Sequence, residues 1–310
     1  MAETGLRLTG LRIYPVKSMA GNAVETAEVR PWGLVGDRRW ALIDDTGKNV
    51  TARKVHQLLG LQAQLAGDTA IRITDRAGGI LTVDAPIGAP TVAVGFRGLD
   101  RATPVGGEAD AWLSARFDRS LRLVWQEDPT LRPIPEAHGG KPGDSLSLAD
   151  DGPLLLVTEA SMHRLNGWIA ADTGQPDVPD IDPTDLSDDV GIGDQLGSEA
   201  DADGRPTPLD IVRFRPNLIV DGDTPFAEDH WTTVWIGDVE FRRTMLCDRC
   251  VMTTIEPTTL AGGKEPIRTL ARHRRWDGKT WFGIRLAPVN LSEGSAATIS
   301  VGDPVQIGRN

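Results

Sequence analysis

The residues of this chain best suited to soft-metal or redox chemistry are Cys247 and Cys250, in the string Cys247-Asp248-Arg249-Cys250, and they are its only cysteines. Two thiols are too few for a disulfide scaffold, and CxxC spacing in a reducing compartment points to a metal or a dithiol couple. A tetrahedral zinc site would require two further ligands, yet His56, His138, His163, His230 and His273 are scattered and show no HxxxH spacing. A thioredoxin-like pair would open a helix, whose dipole lowers the thiol pKa. The β-branched run Val251, Thr253, Thr254, Ile255 instead predicts a strand over 251–255. Two inert core cysteines are a third reading, and one soft thiolate holding a heavier metal is a fourth. Residue types alone leave all four open.

Three further groups are chemically suited to anions and polar rings. Tyr14-Pro15-Val16-Lys17-Ser18 reads as a strand ending in a point charge and a hydroxyl, a pair that can hold phosphate. Asp37-Arg38-Arg39-Trp40 with Thr51-Ala52-Arg53, and Arg213-Phe214-Arg215-Pro216-Asn217, supply guanidinium forks and an amide that can both donate to and accept from a heterocycle edge. Each has a plainer reading: a solvated surface lysine for Lys17, a salt bridge for Asp37 and Arg38. No GxGxxG, GxxxxGK[ST] or GxSxG string is present, which removes the common nucleotide and hydrolase motifs.

The elements that must position these groups are mostly strands. Short apolar runs predict strands over 8–16, 25–30, 40–43, 71–74, 80–83 and 91–96, and the turn Asp44-Asp45-Thr46-Gly47-Lys48 supplies hairpin chemistry. A helix is expected over 108–118, with Ala109, Trp112, Leu113 and Phe117 on one face and two acids in its first turn. A second helix begins at a Thr158 cap and buries Met162, Leu165 and Ile169. Strands return over 217–220, 233–236, 239–243, 251–255, 281–287 and 298–300. The expected class is therefore mixed, β-rich α+β: a β-rich region over 5–130 and a barrel-like unit over 131–308, divided by the Pro/Gly-rich connection at 129–143.

Composition sets the outer bounds. With 310 residues, 40% hydrophobic and 25% charged, the chain can bury a substantial core. The net charge of −11 is local: residues 172–210 hold twelve acids and Arg205, a balance of −11, and the remaining 32 acids and 32 bases cancel. That Pro/Gly/Asp-rich stretch reads as a mobile acidic surface insertion. No run reaches the roughly 18 apolar residues that span a bilayer, and no signal peptide is evident. A cytoplasmic protein with neither membrane nor nucleic-acid polymer as partner is the expectation.

Six strings in order, Tyr14-Pro15-Val16-Lys17-Ser18, Asp37-Arg38-Arg39-Trp40, Thr51-Ala52-Arg53, Thr158-Glu159-Ala160-Ser161, Phe214-Arg215-Pro216-Asn217 and Cys247-Asp248-Arg249-Cys250, resemble the MOSC proteins. Within them the likeness is to the branch containing the mitochondrial amidoxime reducing component and its bacterial relatives, over about residues 7 to 305. The resemblance implies a MOSC-type N-terminal region packed on a MOSC β-barrel, with molybdenum-molybdopterin as cofactor. Matched string by string, it implies Cys250 as the metal ligand and catalytic residue, Lys17, Ser18 and Arg38 as phosphate contacts, and Arg215 and Asn217 as pterin contacts. Asp248 and Arg249 fall on the ligand loop. Implied too is two-electron reduction of N-hydroxylated compounds such as amidoximes, hydroxylamines and N-hydroxylated bases, with a ferredoxin or flavin reductase as separate electron donor. A cofactor carrier or sulfur-transfer module is the alternative, although no pyridoxal-phosphate desulfurase region is recognisable. Three departures stand out: the acidic insertion is long, Met19 stands where relatives often carry cysteine, and no cysteine cluster follows Val305, so no iron–sulfur cluster is expected.

Overall fold

The computed structural model describes residues 5–67, 69–171, 207–291 and 297–308. Among them are three α-helices, Gly107–Phe117, Glu159–Ala171 and Ile267–His273, in a fold otherwise made of strands and 3-10 turns. The chain is therefore the β-rich mixture that the alternating apolar runs predict. Most of the acidic insertion, 172–206, lies outside the described residues.

The chain divides into two compact units. The first takes Met1–Leu11, Leu154–Leu286 and Ser300–Asn310. Its strands run in the order Leu154–Thr158, Leu218–Val220, Leu6–Ile13, Pro304–Gly308, Thr233–Ile236, Val239–Asp248, Lys279–Pro288, and the last pairs back to the first, closing a seven-strand barrel. Closure depends on Gly283, at φ +78°: a Cβ there would lie 2.7 Å from the Leu156 carbonyl oxygen of the facing strand, so a larger residue would push the seam apart. Along Thr233–Ile236 the buried positions alternate, with Val234 and Ile236 turned into the core.

The Glu159–Ala171 helix begins as its sequence predicts. Thr158 Oγ1 accepts from Ser161 N at 3.2 Å, an N-cap bond, and Met162, Leu165 and Ile169 enter one core cluster with Leu155, Val157, Phe214, Cys247, Leu270 and Phe282. Phe214 stacks on Phe282 at 4.1 Å between centroids. Cys247 therefore sits among the aromatics that anchor this unit.

The second unit takes Arg12–Pro153 and Ala287–Ile299. A five-stranded sheet runs Val92–Phe96, Leu99–Pro104, Arg122–Trp125, Trp40–Ile43, Asn49–Val50, and a three-stranded meander runs Gln62–Leu65, Ala70–Thr74, Ile80–Asp84. The hairpin at Asp44 forms as expected: Asp44 Oδ1 accepts from Thr46 N at 2.9 Å and Lys48 N at 3.0 Å, and Gly47 takes φ +82°. The first strand stops at Ile13, short of the expected 16, because Tyr14 N donates to Asp37 Oδ1 at 2.8 Å and turns the chain away. Val16 then makes a single parallel bridge to Trp40. No helix among the described residues is long and apolar enough to cross a membrane.

Candidate functional site

The strand Val239–Asp248 carries Cys247 and Asp248 at its end, and the chain then forms one 3-10 turn, Val251–Thr254, with Cys250 extended at its N-cap. The strand expected over 251–255 does not form. Threonine hydroxyls bond locally instead: Thr253 N and Oγ1 donate to the Cys250 carbonyl at 3.1 and 3.0 Å, and Thr254 Oγ1 donates to Val251 O at 2.8 Å. A single 3-10 turn also falls short of the α-helix start that lowers a thiol pKa in dithiol proteins.

The two sulfurs have different surroundings. Cys247 is 2% exposed within the aromatic core, and Arg249 Nη1 donates to its Sγ at 2.7 Å. Cys250 is half-buried. Arg249 fastens this loop on three sides. Its Nη2 donates to Phe214 O at 2.8 Å, its guanidinium lies 5.2 Å from the Phe214 ring centroid, and its backbone N donates to Thr280 O at 2.8 Å. Its Nε is buried with no hydrogen-bond partner. Asp248 lies 3.7 Å from Lys279.

Through Arg249 the cysteine loop meets the Phe214-Arg215-Pro216-Asn217 string. Asp210 caps the 3-10 turn Ile211–Phe214, and Arg215 ends it in left-handed conformation at φ +57°, donating its N–H to Val212 O at 3.0 Å. Arg213, mostly buried, donates to Thr254 O at 3.4 Å and so reaches the turn that Cys250 caps. Asn217 has a barrel role: its N donates to Leu155 O at 2.9 Å, and its Oδ1 accepts from Leu155 N at 3.3 Å. The Thr158-Glu159-Ala160-Ser161 string holds a buried carboxyl that the sequence does not flag. Ser161 Oγ lies 2.7 Å from Glu228 Oε1, and Thr158 Oγ1 lies 3.1 Å from Oε2. Burial pushes the Glu228 pKa up, against the pull of those hydroxyls.

In the second unit Lys17 is buried, and its Nζ donates to Leu148 O at 2.9 Å and to the half-exposed carboxylate of Asp150. Desolvation lowers the Lys17 pKa, opposed by Asp150 and reinforced by Arg132 and Arg53. Arg53 approaches the same Asp150 carboxylate at 3.8 Å. Ser18 takes φ +69° in a turn closed by Met19 N to Val16 O at 3.2 Å. Arg38, at φ +48°, donates to Asp37 at 2.5 Å, lies 4.6 Å over the Tyr14 ring, and accepts from Leu148 N at 2.8 Å through its carbonyl. The salt-bridge reading of Asp37 and Arg38 is thus realised, and Lys17, Arg38 and Arg53 are joined through the segment Leu148–Asp150. Arg39 turns away to the Gln126 and Glu127 carbonyls, and burial lowers its pKa to about 10.

Three of the seven residues expected to contact cofactor, Ser18, Arg38 and Arg215, are non-glycine residues at positive φ, as are only five others among the described residues. Left-handed conformation costs an L-residue about 1–2 kcal/mol, and such strain gathers at functional sites. Sequence reading missed Asp150, the counter-charge of Lys17, and Thr280, which grips Arg249. A lysine headed for burial requires an acid, but nothing local to the sequence says which one.

The profile described as MOSC N-terminal beta barrel domain matches residues 5–120, and the MOSC domain profile matches 143–306. Mitochondrial amidoxime-reducing component 1 of Homo sapiens is 32% identical over 96% of this chain and 81% of its own length. The Mus musculus protein of that name is 29% identical over the same shares. Molybdenum cofactor sulfurase of Danio rerio is 28% identical over 96% of this chain, which spans only 34% of that protein.

Proposed function

This chain belongs to the MOSC family, and from that premise we propose that it binds the molybdenum cofactor through Cys250 and reduces N-hydroxylated compounds. The carrying observation is the difference between the surroundings of the two sulfurs: Cys247 is buried in the core and bonded by Arg249, and Cys250 is half-buried at the N-cap of a 3-10 turn. The residues fit the group. No set of three His, Cys, Asp or Glu side chains gathers as a metal site among the described residues, and a lone thiolate suits a metal that brings its own sulfur ligands.

When bound, the cofactor supplies two-electron oxygen-atom chemistry: an N–O bond breaks, two electrons and two protons are consumed, and water leaves. The chain's own residues bind and orient. Arg249 fixes the cysteine loop, and its unpartnered Nε is a donor for a polar ligand. Arg215, Asn217 and Asp248 are proposed for the pterin side. Lys17, Ser18 and Arg38 are proposed for phosphate. An ammonium has three donors and Lys17 uses two, on Leu148 and Asp150, which leaves one for an anion. A cytoplasmic location, a separate low-potential electron-donor protein and no iron–sulfur cluster complete the proposal.

The test is metal and pterin analysis of protein produced in a host that makes the cofactor, followed by benzamidoxime turnover with a chemical reductant. Stoichiometric molybdenum with turnover supports the reading. Bound cofactor without turnover would favour a carrier, the role suited to the sulfurase likeness, and no molybdenum would end both.

A further inference from the structure

We propose that residues 264–279 form the docking surface for an acidic electron-donor protein, an inference that rests on the reductase reading and names where its electrons enter. In a chain of net charge −11 this segment carries Lys264, Arg268, Arg272, Arg274, Arg275 and Lys279 against Glu265 and Asp277, a local balance of +4. Helix Ile267–His273 buries Ile267, Thr269, Leu270 and Ala271, while Arg268 and Arg272 are half-buried and Lys264, just before the helix, is exposed. The hairpin that follows pairs Arg275 with Thr280 and Trp276 with Lys279 around Asp277 and Gly278, both at positive φ as a tight hairpin turn requires.

The hairpin is stiff. Arg274 is buried, pairs with Asp229 at 2.5 Å and donates to Trp281 O at 3.1 Å. Trp281 Nε1 donates to Trp276 O at 3.1 Å, and the two indoles stack at 5.8 Å. Trp276 is nonetheless 39% exposed, with Arg275 and Lys279 exposed beside it. A rigid indole ringed by cations has the make-up of a protein-binding anchor. The same hairpin touches the cysteine loop: Lys279 faces Asp248 at 3.7 Å, and Thr280 bonds both the backbone N and O of Arg249, the residue before Cys250. A partner docked here has its redox group next to that loop.

Charge selects the partner. An acidic protein is repelled by the chain's overall field and drawn to this patch, which fixes orientation as well as encounter rate. A lipid surface fits less well, since membrane-surface helices expose a wide apolar face, and here the helix's apolar side chains are consumed by the core.

The test titrates the purified full chain with an acidic plant-type [2Fe–2S] ferredoxin by calorimetry at low and high salt. Wild type should bind at low salt and weaken as salt rises, with Arg275→Glu weakening binding about tenfold, Trp276→Ala several-fold, and Arg72→Glu, an exposed charge reversal in the other unit, leaving it unchanged. No association at low salt, equal losses in Arg275→Glu and Arg72→Glu, or capture of anionic vesicles in place of ferredoxin would overturn the proposal. Turnover of cofactor-loaded protein with reduced methyl viologen reports separately on the reductase reading, because a small donor requires no docking surface. Arg275→Glu should leave that turnover as in wild type.

Discussion

Replacing Arg249 with alanine should loosen the cysteine loop without unfolding the barrel. The guanidinium bonds the Phe214 carbonyl at 2.8 Å and stacks on the Phe214 ring at 5.2 Å. A hydrogen bond from a charged group contributes about 1.5–3 kcal/mol, and a partly exposed cation–π contact about 0.5–1 kcal/mol. The sum, about 2–4 kcal/mol, bears on local opening, because the Val239–Asp248 strand keeps its own barrel pairing. At 1.4 kcal/mol per decade, amide hydrogen exchange at 249–254 and 212–215 should accelerate roughly 30- to 700-fold. The assay is hydrogen exchange by mass spectrometry on cofactor-free protein, with the Thr233–Ile236 strand as internal reference. Arg249→Lys should fall between, since an ammonium reaches one acceptor but lacks the planar fork. Wild-type exchange rates in Arg249→Ala at both segments would refute the idea that this side chain joins the two loops.

Three further outcomes follow from the same geometry. Glu228→Gln should gain stability over wild type as pH rises: the folded carboxyl holds its proton above the ordinary value of 4.5, so from there upward the wild type loses stability until both states are ionised, whereas glutamine does not titrate. Urea denaturation at pH 4 and pH 7 reads this, and a difference constant with pH would count against it. Thr158→Ala, losing the helix cap and a hydroxyl at Glu228, should cost about 1.5–2.5 kcal/mol in the same assay; a change below 0.5 kcal/mol, by the usual size of surface effects, would show the cap to be idle. Ser18→Gly should stabilise the apoprotein by about 1 kcal/mol by relieving left-handed strain, yet retain less pterin on gel filtration. Retention equal to wild type would remove Ser18 from the proposed phosphate contacts.

What the sequence disclosed was local. The helix face of Met162, Leu165 and Ile169, its Thr158 cap and the Asp44 hairpin depend on spacing within a few residues, and each forms as read. The error at 251–255 has a local cause too: Thr253 and Thr254 carry strand propensity, but their hydroxyls serve a 3-10 turn as readily. The rest was long-range. Nothing near Leu6–Ile13 reveals that this opening strand lies between Leu218–Val220 and Pro304–Gly308, because barrel pairing is set by the whole sheet. The left-handed backbones of Ser18, Arg38 and Arg215 leave no mark on composition, since the residues there are not glycine. The different surroundings of the two sulfurs are equally silent in the CxxC spacing, and they emerge from the packing of Cys247 with Phe214 and Phe282 and from its bond to Arg249.

That separation is the measurement on which the account turns. Cys247→Ala and Cys250→Ala should be produced in a cofactor-competent host, analysed for molybdenum, and assayed for benzamidoxime reduction with a chemical electron donor. Cys250→Ala is expected to lose turnover and most of its molybdenum. Cys247→Ala is expected to remain substantially active, its loss appearing as a core truncation of about 1–2 kcal/mol in stability. Inactive Cys247→Ala beside an active, molybdenum-loaded Cys250→Ala would reverse the assignment, and full activity in both variants would contradict a thiolate ligand altogether.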